Sequence, residues 1–199
     1  MPDKKINIIV IMGGPSDEYE VSLSTGKQIL NSLDKEKYSI TSVTIGKDGK
    51  WSFPGEKKID VAFIAMHGKF GEDGTIQGLL ESVGIPYTGS GILASALAMD
   101  KVRSSELFLY HGLEVPEFTF YEKSKWENKA DMLADIINKK FGMPCVIKPT
   151  DSGSSVGVTI VKKFENLKSA IELAFEKSNT IMAQEFISGR EVTCGVLDF

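Results

Sequence analysis

The first strand-like stretch of the chain reads Ile6-Asn7-Ile8-Ile9-Val10-Ile11-Met12-Gly13-Gly14. Its first seven residues are almost all apolar and mostly β-branched, which is typical of a parallel strand that is buried on both faces. The two glycines end this strand, and a polar loop, Pro15 to Glu20, leads into a helix predicted from Ser22 to Leu33. Ser22 is the predicted N-cap of that helix.

Further apolar runs extend this pattern into a sheet. Ile40 to Ile45 and Val61 to Met66 predict two more strands, with a short return strand expected at Trp51 to Phe53. A helix predicted from Thr75 to Val83 follows. The alternation of strands and helices predicts an open α/β sheet, in which ligands bind at the carboxyl ends of the strands.

The second half of the chain is predicted to be richer in helices. The predicted elements are helices at 93–99, 101–110, 126–141 and 166–177, a hairpin over 146–161, a strand at 180–187 and the start of a strand at 191–199. Asp100 is the predicted cap of the second helix, and Val115-Pro116 the predicted linker before the third. Leu133, Ile136 and Ile137 are expected to face inward from that third helix.

The composition is that of an ordinary globular protein. With 199 residues, 42% of them hydrophobic, the chain suits one large or two small domains with a substantial core. A net charge of −4 argues against nucleic acid as the main partner. No apolar span is long enough for a signal peptide or a membrane helix, so we expect a cytoplasmic protein with no membrane partner. Cys145 and Cys194 lie in apolar segments, where we expect reduced core thiols.

A glycine–serine loop, residues 150–157, carries the clearest sign of ligand binding. It reads Thr150-Asp151-Ser152-Gly153-Ser154-Ser155-Val156-Gly157 and follows Lys148-Pro149. Glycines let the backbone approach a ligand closely, while serine hydroxyls and successive N–H groups can bind an anion. Lys148 adds a cation at the strand end. The loop is either a phosphate-covering hairpin tip or an ordinary one, and it is neither a Walker A loop nor a dinucleotide fingerprint.

Three other positions place charged or titratable groups where a site could form. Glu18 follows the first strand and is either the partner of an ammonium group or a solvated acid. His67 stands in a glycine-dense loop at the expected crevice, although a single histidine there is more often structural. Lys101 opens a helix and could bind a phosphate, but spacing alone favours a surface lysine.

Taken in order, these segments resemble the D-alanine–D-alanine ligase family of the ATP-grasp superfamily. The resemblance rests on Gly13 to Ser16 with Glu18 and Glu20 to Ser22, on Met66 to Gly68 with Gly71 to Gly78, on Gly84 to Gly91, on Met99 to Lys101, on Lys148-Pro149 with Gly153 to Gly157, and on Gly189 to Glu191. Each group is weak alone, but the ordered set is specific. It implies an α/β fold: an N-terminal parallel, Rossmann-like (pre-ATP-grasp) sheet followed by the small α+β subdomain of an ATP-grasp fold.

The resemblance implies that ATP drives the joining of two D-alanines to D-alanyl-D-alanine for peptidoglycan synthesis. In the family, ATP phosphorylates the carboxylate of the first D-alanine, the amine of the second attacks the acylphosphate, and phosphate leaves. Glu18 and Ser154 are the implied catalytic residues, and Glu18, His67 and Ser154 the implied D-alanine contacts, with Glu18 holding the ammonium group. ATP and Mg²⁺, or Mn²⁺, are the implied cofactors.

The implied ATP-binding residues are Lys101, Lys148, Gly153, Ser154, Ser155, Val156, Gln184, Glu185, Phe186, Ile187 and Glu191. In the family the two lysines neutralise phosphates, residues 184–187 line the adenine site and Glu191 contacts the ribose. The chain departs from the family pattern at Asp151-Ser152, where Arg-Glu is frequent, and at Gln184, where an acid is frequent. A glutamine carbonyl can still accept the adenine amino group.

The resemblance also divides the chain into an N-terminal substrate domain at 1–95, a central ATP-grasp subdomain at 96–187 and the start of a further subdomain at 188–199. The chain ends inside an alternating stretch, with Val192, Cys194 and Val196 on one face and no turn or cap after it, so we read the C-terminus as a truncation. The family's metal ligands would lie beyond Phe199, and we therefore expect this piece alone to be inactive. A homodimer through the N-terminal domain is implied. D-alanine–D-lactate or D-alanine–D-serine ligation, or a non-catalytic nucleotide-binding module, are the alternatives.

Overall fold

A computed structural model of the protein describes residues 5–52 and 58–196. Its strands are β1 (Ile6–Gly13), β2 (Tyr38–Ile45), β3 (Val61–Ile64), β4 (Phe118–Glu122), β5 (Cys145–Pro149), β6 (Thr159–Val161) and β7 (Thr180–Glu185). Its helices are α1 (Tyr19–Ser32), α2 (Thr75–Ser82), α3 (Ile92–Met99), α4 (Lys101–Tyr110), α5 (Lys123–Phe141) and α6 (Leu167–Phe175), the last preceded by a 3₁₀ turn, Phe164–Asn166.

The N-terminal half, defined here as β1 to α2, is built on a parallel sheet of order β2-β1-β3. Val10 and Ile11 of the central strand are fully buried, one toward each face, because helices cover both sides. Ile11 packs with Ile76 and Leu80 of α2, whereas the opposite face packs against α1. The prediction of a parallel strand buried on both faces is confirmed.

The central half, defined here as β4 to β7, is built on an antiparallel sheet of order β4-β7-β5-β6. Helices α5 and α6 cover one face, and their core includes Ile137, Ile147 and Ile171, all fully buried. The other face is partly open, since Phe120 and Ile160 keep 41% and 49% of their surface exposed. The hairpin prediction is confirmed, because β5 and β6 pair on either side of the glycine–serine loop.

The sequence prediction missed β4 and misplaced a few features. Val115-Pro116 lies in a segment without regular structure, as expected of a linker, but this segment leads into a strand that was not predicted. That strand, Phe118–Glu122, is a short edge strand that runs directly into α5, with no Gly or Pro to mark the boundary. Ile136 was wrongly predicted to face inward, because 42% of it is exposed. Asp100 caps α4 as predicted, accepting from the N–H groups of Val102 and Arg103.

The C-terminal predictions also need correction. Strand β7 ends at Glu185, not at Ile187, and residues 191–196 form no strand; the rest of that predicted strand and Phe53 lie outside the described residues. Trp51 and Ser52 are not in a strand either. Cys145 is buried as predicted, but Cys194 is exposed. Across the parts of the chain that the structure describes, no helix is long and apolar enough to cross a membrane.

Ser22 is a buried link rather than the predicted helix N-cap. Helix α1 begins at Tyr19, so Ser22 lies inside it and is fully buried. Its Oγ accepts a hydrogen bond from the N–H of Gly13 and donates one to the carbonyl of Ala65, both at 2.8 Å. One hydroxyl therefore joins the end of β1 to the chain after β3, which fixes the two loops that follow these strands.

Replacing Ser22 with Ala is expected to lower the free energy of unfolding by about 2–4 kcal/mol. The change leaves one buried N–H and one buried carbonyl unpaired, each of which costs about 1–3 kcal/mol. Urea unfolding followed by circular dichroism measures the loss. Ser32→Ala is the control, since Ser32 is an exposed residue of the same helix whose hydroxyl donates to the carbonyl of Gln28. Equal effects of the two changes would contradict the assignment of Ser22.

Candidate functional site

A cavity of about 780 Å³, which we call the main cavity, lies between the carboxyl end of the first sheet and the glycine–serine loop. Both halves of the molecule supply its walls. Of the predicted site residues, those that line it are His67, Lys101, Lys148, Gly153, Ser154 and Ser155. Glu18 and Val156 line a smaller adjacent cavity of about 130 Å³, which shares Gly153 with the first. Ser152 and Gly153 of the loop therefore border both cavities.

The Glu18 carboxylate is held between the two halves. It is 7% exposed, and its Oε1 accepts a hydrogen bond from the hydroxyl of Ser154. Its Oε2 lies against two glycines: an added Cβ would be 2.3 Å from this oxygen at Gly68 and 2.7 Å at Gly153. No side chain larger than glycine fits at either position without displacing the carboxylate. The structure thus brings together Glu18, Ser154 and Gly153, which lie far apart in the sequence.

His67 is fixed by neighbours that the sequence prediction did not identify. Its Nε2 lies 2.9 Å from the hydroxyl of Thr25, and its Nδ1 lies 3.7 Å from Oε1 of Glu72. The other oxygen of Glu72 accepts from the N–H of Gly68 at 2.7 Å, and Ser16 donates to the His67 carbonyl at 2.8 Å. Both ring nitrogens face protein groups, while the residue as a whole borders the main cavity.

Lys101 and Lys148 form a half-buried cationic pair. Burial lowers the pKa of Lys101, although the charges of Asp151 and Asp100 act in the opposite direction. Burial also lowers the pKa of Lys148, and the charge of Lys101 lowers it further. Lys101 donates to the carbonyl of Ser152 through Nζ, so it is not the surface lysine that spacing alone favoured. Two neighbouring ammonium groups that repel each other would gain from a bound anion.

The glycine–serine loop adopts a conformation that is unusual for serine. Ser154 and Ser155 have φ angles of 45° and 59°, in the left-handed region that glycine favours. Internal hydrogen bonds support this turn: the N–H of Val156 donates to Gly153 at 3.0 Å, and that of Val158 donates to Ser155 at 3.1 Å. Val156 therefore uses its N–H within the loop. Consecutive left-handed residues store local strain, which is frequent at ligand sites.

The residues predicted to contact adenine and ribose are not among those lining the main cavity. Gln184 pairs with Val146 across β5 and β7, so it shares a sheet face with a residue that does line it. Glu185 instead accepts from the N–H of Glu117 at 2.6 Å. Phe186 and Ile187 are 37% and 62% exposed. Glu191 is also exposed.

No cluster of three or more metal-ligating side chains (His, Cys, Asp or Glu) occurs within residues 5–52 and 58–196.

Comparison with known proteins identifies the family. The family model described as D-ala D-ala ligase N-terminus matches residues 7–58 and 53–90, and that described as D-ala D-ala ligase C-terminus matches residues 107–199. The chain belongs to the D-alanine–D-alanine ligase family. The resemblance seen in the sequence is thereby confirmed, and so is the fold class.

Individual relatives show how far the likeness extends. A protein of Geobacter sulfurreducens named D-alanine--D-alanine ligase is 47% identical over 195 residues, which are 98% of this chain and 59% of that protein. The crystal structure of a Bacillus anthracis D-alanine--D-alanine ligase complexed with ATP matches with a TM-score of 0.74 and 38% identity, over 92% of this chain and 60% of that one. The VanG D-Ala:D-Ser ligase of Enterococcus faecalis matches with a TM-score of 0.79 and 32% identity, over 94% and 64%. The chain thus spans 59% of the length of the Geobacter relative.

Replacing Gly68 with Ala is expected to lower the free energy of unfolding by about 1–3 kcal/mol more than Gly49→Ala does, because the new methyl group overlaps the Glu18 carboxylate. Gly49 is the matched control, since its φ of 75° resembles the 68° of Gly68 and an added Cβ meets no atom of residues 5–52 or 58–196 within 4 Å. Urea unfolding provides the measurement. The excess should disappear when Gly68→Ala is combined with Glu18→Ala, and an excess that persists would contradict the assignment.

Replacing Lys101 with Met is expected to raise the pKa of Lys148, because the repulsion between the two ammonium groups is removed while burial remains. The pKa is measured by NMR titration of the lysine side chains. Lys163→Met, which removes an exposed lysine paired with Glu165, is the control and should leave the pKa of Lys148 unchanged. A Lys148 pKa that does not rise in Lys101→Met would show that the two groups are not coupled.

Proposed function

We propose that this chain forms two domains and the start of a third in a D-alanine–D-alanine ligase, an enzyme that uses ATP to join two D-alanines for peptidoglycan precursor synthesis. Its parts are the substrate domain at 1–95, the central ATP-grasp subdomain at 96–187 and the start of a further subdomain at 188–199. One observation carries the proposal: a nearly buried carboxylate and two half-buried ammonium groups surround a single glycine–serine loop. The carboxylate can bind the ammonium group of an amino acid, and the two ammonium groups can bind a polyphosphate.

Glu18 holds the ammonium group of the first D-alanine in this proposal. The carboxylate is nearly removed from solvent, so a salt bridge to it is stronger than one on the surface. Ser154 orients Glu18 through its hydroxyl and couples the substrate to the loop. His67, fixed by Thr25 and bordering the cavity, lies beside the substrate. The substrate carboxylate then points toward Lys101 and Lys148 across the cavity.

ATP lies against the central sheet with its phosphates at the two lysines. Gly153, Ser154, Ser155 and Val156 cover the phosphates, and their glycine and left-handed serine backbone allows a close approach. Gln184 to Ile187 line the adenine site and Glu191 contacts the ribose. Gln184 supports this placement because it shares a sheet face with Val146 at the cavity wall. The related Bacillus anthracis structure complexed with ATP supports the use of this nucleotide.

The reaction proceeds in two transfers. A carboxylate oxygen of the first D-alanine takes the γ-phosphoryl group, and ADP leaves. The amine nitrogen of the second D-alanine then attacks the acylphosphate carbon, loses a proton and displaces inorganic phosphate. The chain's own contribution is alignment and neutralisation of charge: Glu18 fixes one end of the substrate, and Lys101 and Lys148 bring the two anionic groups together.

Mg²⁺, with Mn²⁺ as a substitute, is the proposed ion that accompanies ATP. Mg²⁺ prefers oxygen ligands and commonly binds phosphates together with one or two carboxylates. The part of the chain that the structure describes has no group of three or more His, Cys, Asp or Glu side chains that could hold it.

We also propose that the enzyme is cytoplasmic and pairs as a homodimer through its N-terminal domain. A second candidate function is ligation of D-alanine to D-serine. It is favoured by the match to the Enterococcus faecalis D-Ala:D-Ser ligase at 32% identity. Both candidates share the first substrate, so they make the same prediction for Glu18.

D-alanine is expected to bind this chain and L-alanine to bind at least about tenfold more weakly, as measured by isothermal titration calorimetry. Glu18→Gln keeps the shape of the side chain but removes its charge, and it should weaken D-alanine binding by about 10- to 100-fold. Glu20→Gln, at an exposed acid paired with Lys47, is the control. Absence of D-alanine binding, or equal binding by wild type and Glu18→Gln, would contradict the proposal.

ATP binding is expected to weaken by about 10- to 100-fold in Lys148→Met, because a charge-assisted contact to phosphate is lost. Lys163→Met serves again as the exposed control. Calorimetry should also show that ATP binding weakens as the pH rises through the lowered pKa of Lys148, since the lysine then loses its charge. An ATP affinity that is the same in both variants would argue against phosphate at this lysine.

A further inference from the structure

Two ion pairs connect the halves of the molecule on either side of the Glu18–Ser154 contact. Nζ of Lys69 lies 3.2 Å from Oδ2 of Asp151, and Nζ of Lys177 lies 2.9 Å from Oδ2 of Asp17. Lys69 and Asp17 belong to loops of the N-terminal half, whereas Asp151 and Lys177 belong to the central half. The polarity is reversed between the pairs, so each half supplies one cation and one anion. We call them the bridging ion pairs.

The bridging ion pairs act at opposite ends of the glycine–serine loop. Asp151 is the second residue of the loop. Lys177, which follows α6, lies beside the last one: a Cβ added at Gly157 would be 3.5 Å from its Cγ. The small cavity that contains Glu18 is bordered by all four charged residues of the bridging pairs, Asp17, Lys69, Asp151 and Lys177. The loop is therefore tied to the N-terminal half at its start and beside its end, with the Ser154 contact between.

In the Lys69–Asp151 pair, the lysine also offsets the negative charge that Asp151 places in the loop. Asp151 places a carboxylate in a loop that we propose to cover phosphates, and its charge is felt at Lys101. Burial alone would raise the pKa of Asp151, but the influence of the Ser178 side chain and the hydrogen bond and charge of Lys69 lower it overall, so the carboxylate stays ionised. Lys69 supplies the cation that offsets this charge. Without Lys69, the loop would present an unpaired negative charge to an anionic ligand.

We propose that the bridging ion pairs position the glycine–serine loop: they hold it closed against the N-terminal half and so set Ser154 and Ser155 over the cavity. The importance of this for ATP rests on the proposed function, but the closure itself does not. Lys69, Asp151, Asp17 and Lys177 are positioning residues, since they act through the loop rather than on the reacting atoms. Their side chains are 39–63% exposed, so each pair is weak and sensitive to salt.

Hydrogen exchange on the chain without ligand tests the closure directly. The N–H groups of Val156 and Val158, bonded inside the loop, report its opening. Lys69→Ala and Lys177→Ala should each speed their exchange by about two- to fivefold at low ionic strength. The wild-type chain should show a similar increase on going from about 0.01 M to about 1 M salt, where the Debye length falls from about 30 to about 3 Å. Lys168→Ala, which removes an ion pair within the central half, is the control.

A charge swap separates positioning from a general loss of stability. Lys69→Asp combined with Asp151→Lys should restore slow exchange at Val156, whereas either change alone should speed it. Unchanged exchange in the single variants, or no restoration in the swap, would overturn the proposal. ATP titrations of the same variants then report the consequence: Lys69→Ala should weaken ATP binding and Lys168→Ala should not. If exchange responds but ATP binding does not, the closure stands and the proposed ATP role of the loop fails.

Discussion

The structure depends on one carboxylate held between two glycines. Glu18 follows the first strand, and it reaches the glycine–serine loop only because Gly68 and Gly153 leave room for its oxygens. Ser154 completes the contact from the opposite half. Burial of a charged group is unfavourable unless hydrogen bonds and opposite charges compensate for it. A ligand ammonium group would supply that compensation. Binding of such a ligand would therefore offset the unfavourable free energy of burying the Glu18 carboxylate.

The same argument, with the opposite sign of charge, applies to the two lysines that line the main cavity. Lys101 and Lys148 are half-buried and close enough for their charges to interact, which lowers the pKa of Lys148. The backbone of Lys101 is also tied to the loop, because its N–H donates to the carbonyl of Thr150 at 3.0 Å. The Glu18 carboxylate, the two lysines and the glycine–serine loop are therefore parts of one connected set of contacts. Strain and unbalanced charge are concentrated where a charged ligand would relieve them.

The sequence predicted the fold and the family better than it predicted the contacts between distant residues. Continuous apolar strands such as Ile6 to Met12 give a strong signal, because their burial does not depend on distant residues. Strand β4 was missed since an edge strand needs only a partner, here β7, and carries little pattern of its own. Ser22 was misread as a cap because its partners, Gly13 and Ala65, come together only in the fold. The bridging ion pairs were not predicted for the same reason, because Asp17 and Lys177 are 160 positions apart in the sequence.

A crystal structure of the chain with D-alanine bound would show whether Glu18 holds the substrate. We predict that the D-alanine nitrogen lies about 2.7–2.9 Å from a Glu18 oxygen, as expected for a charge-assisted hydrogen bond. Its carboxylate should face Lys101 and Lys148, with Ser154 still in contact with Glu18. A D-alanine ammonium group bound elsewhere, with no contact to Glu18, would contradict the role proposed for Glu18.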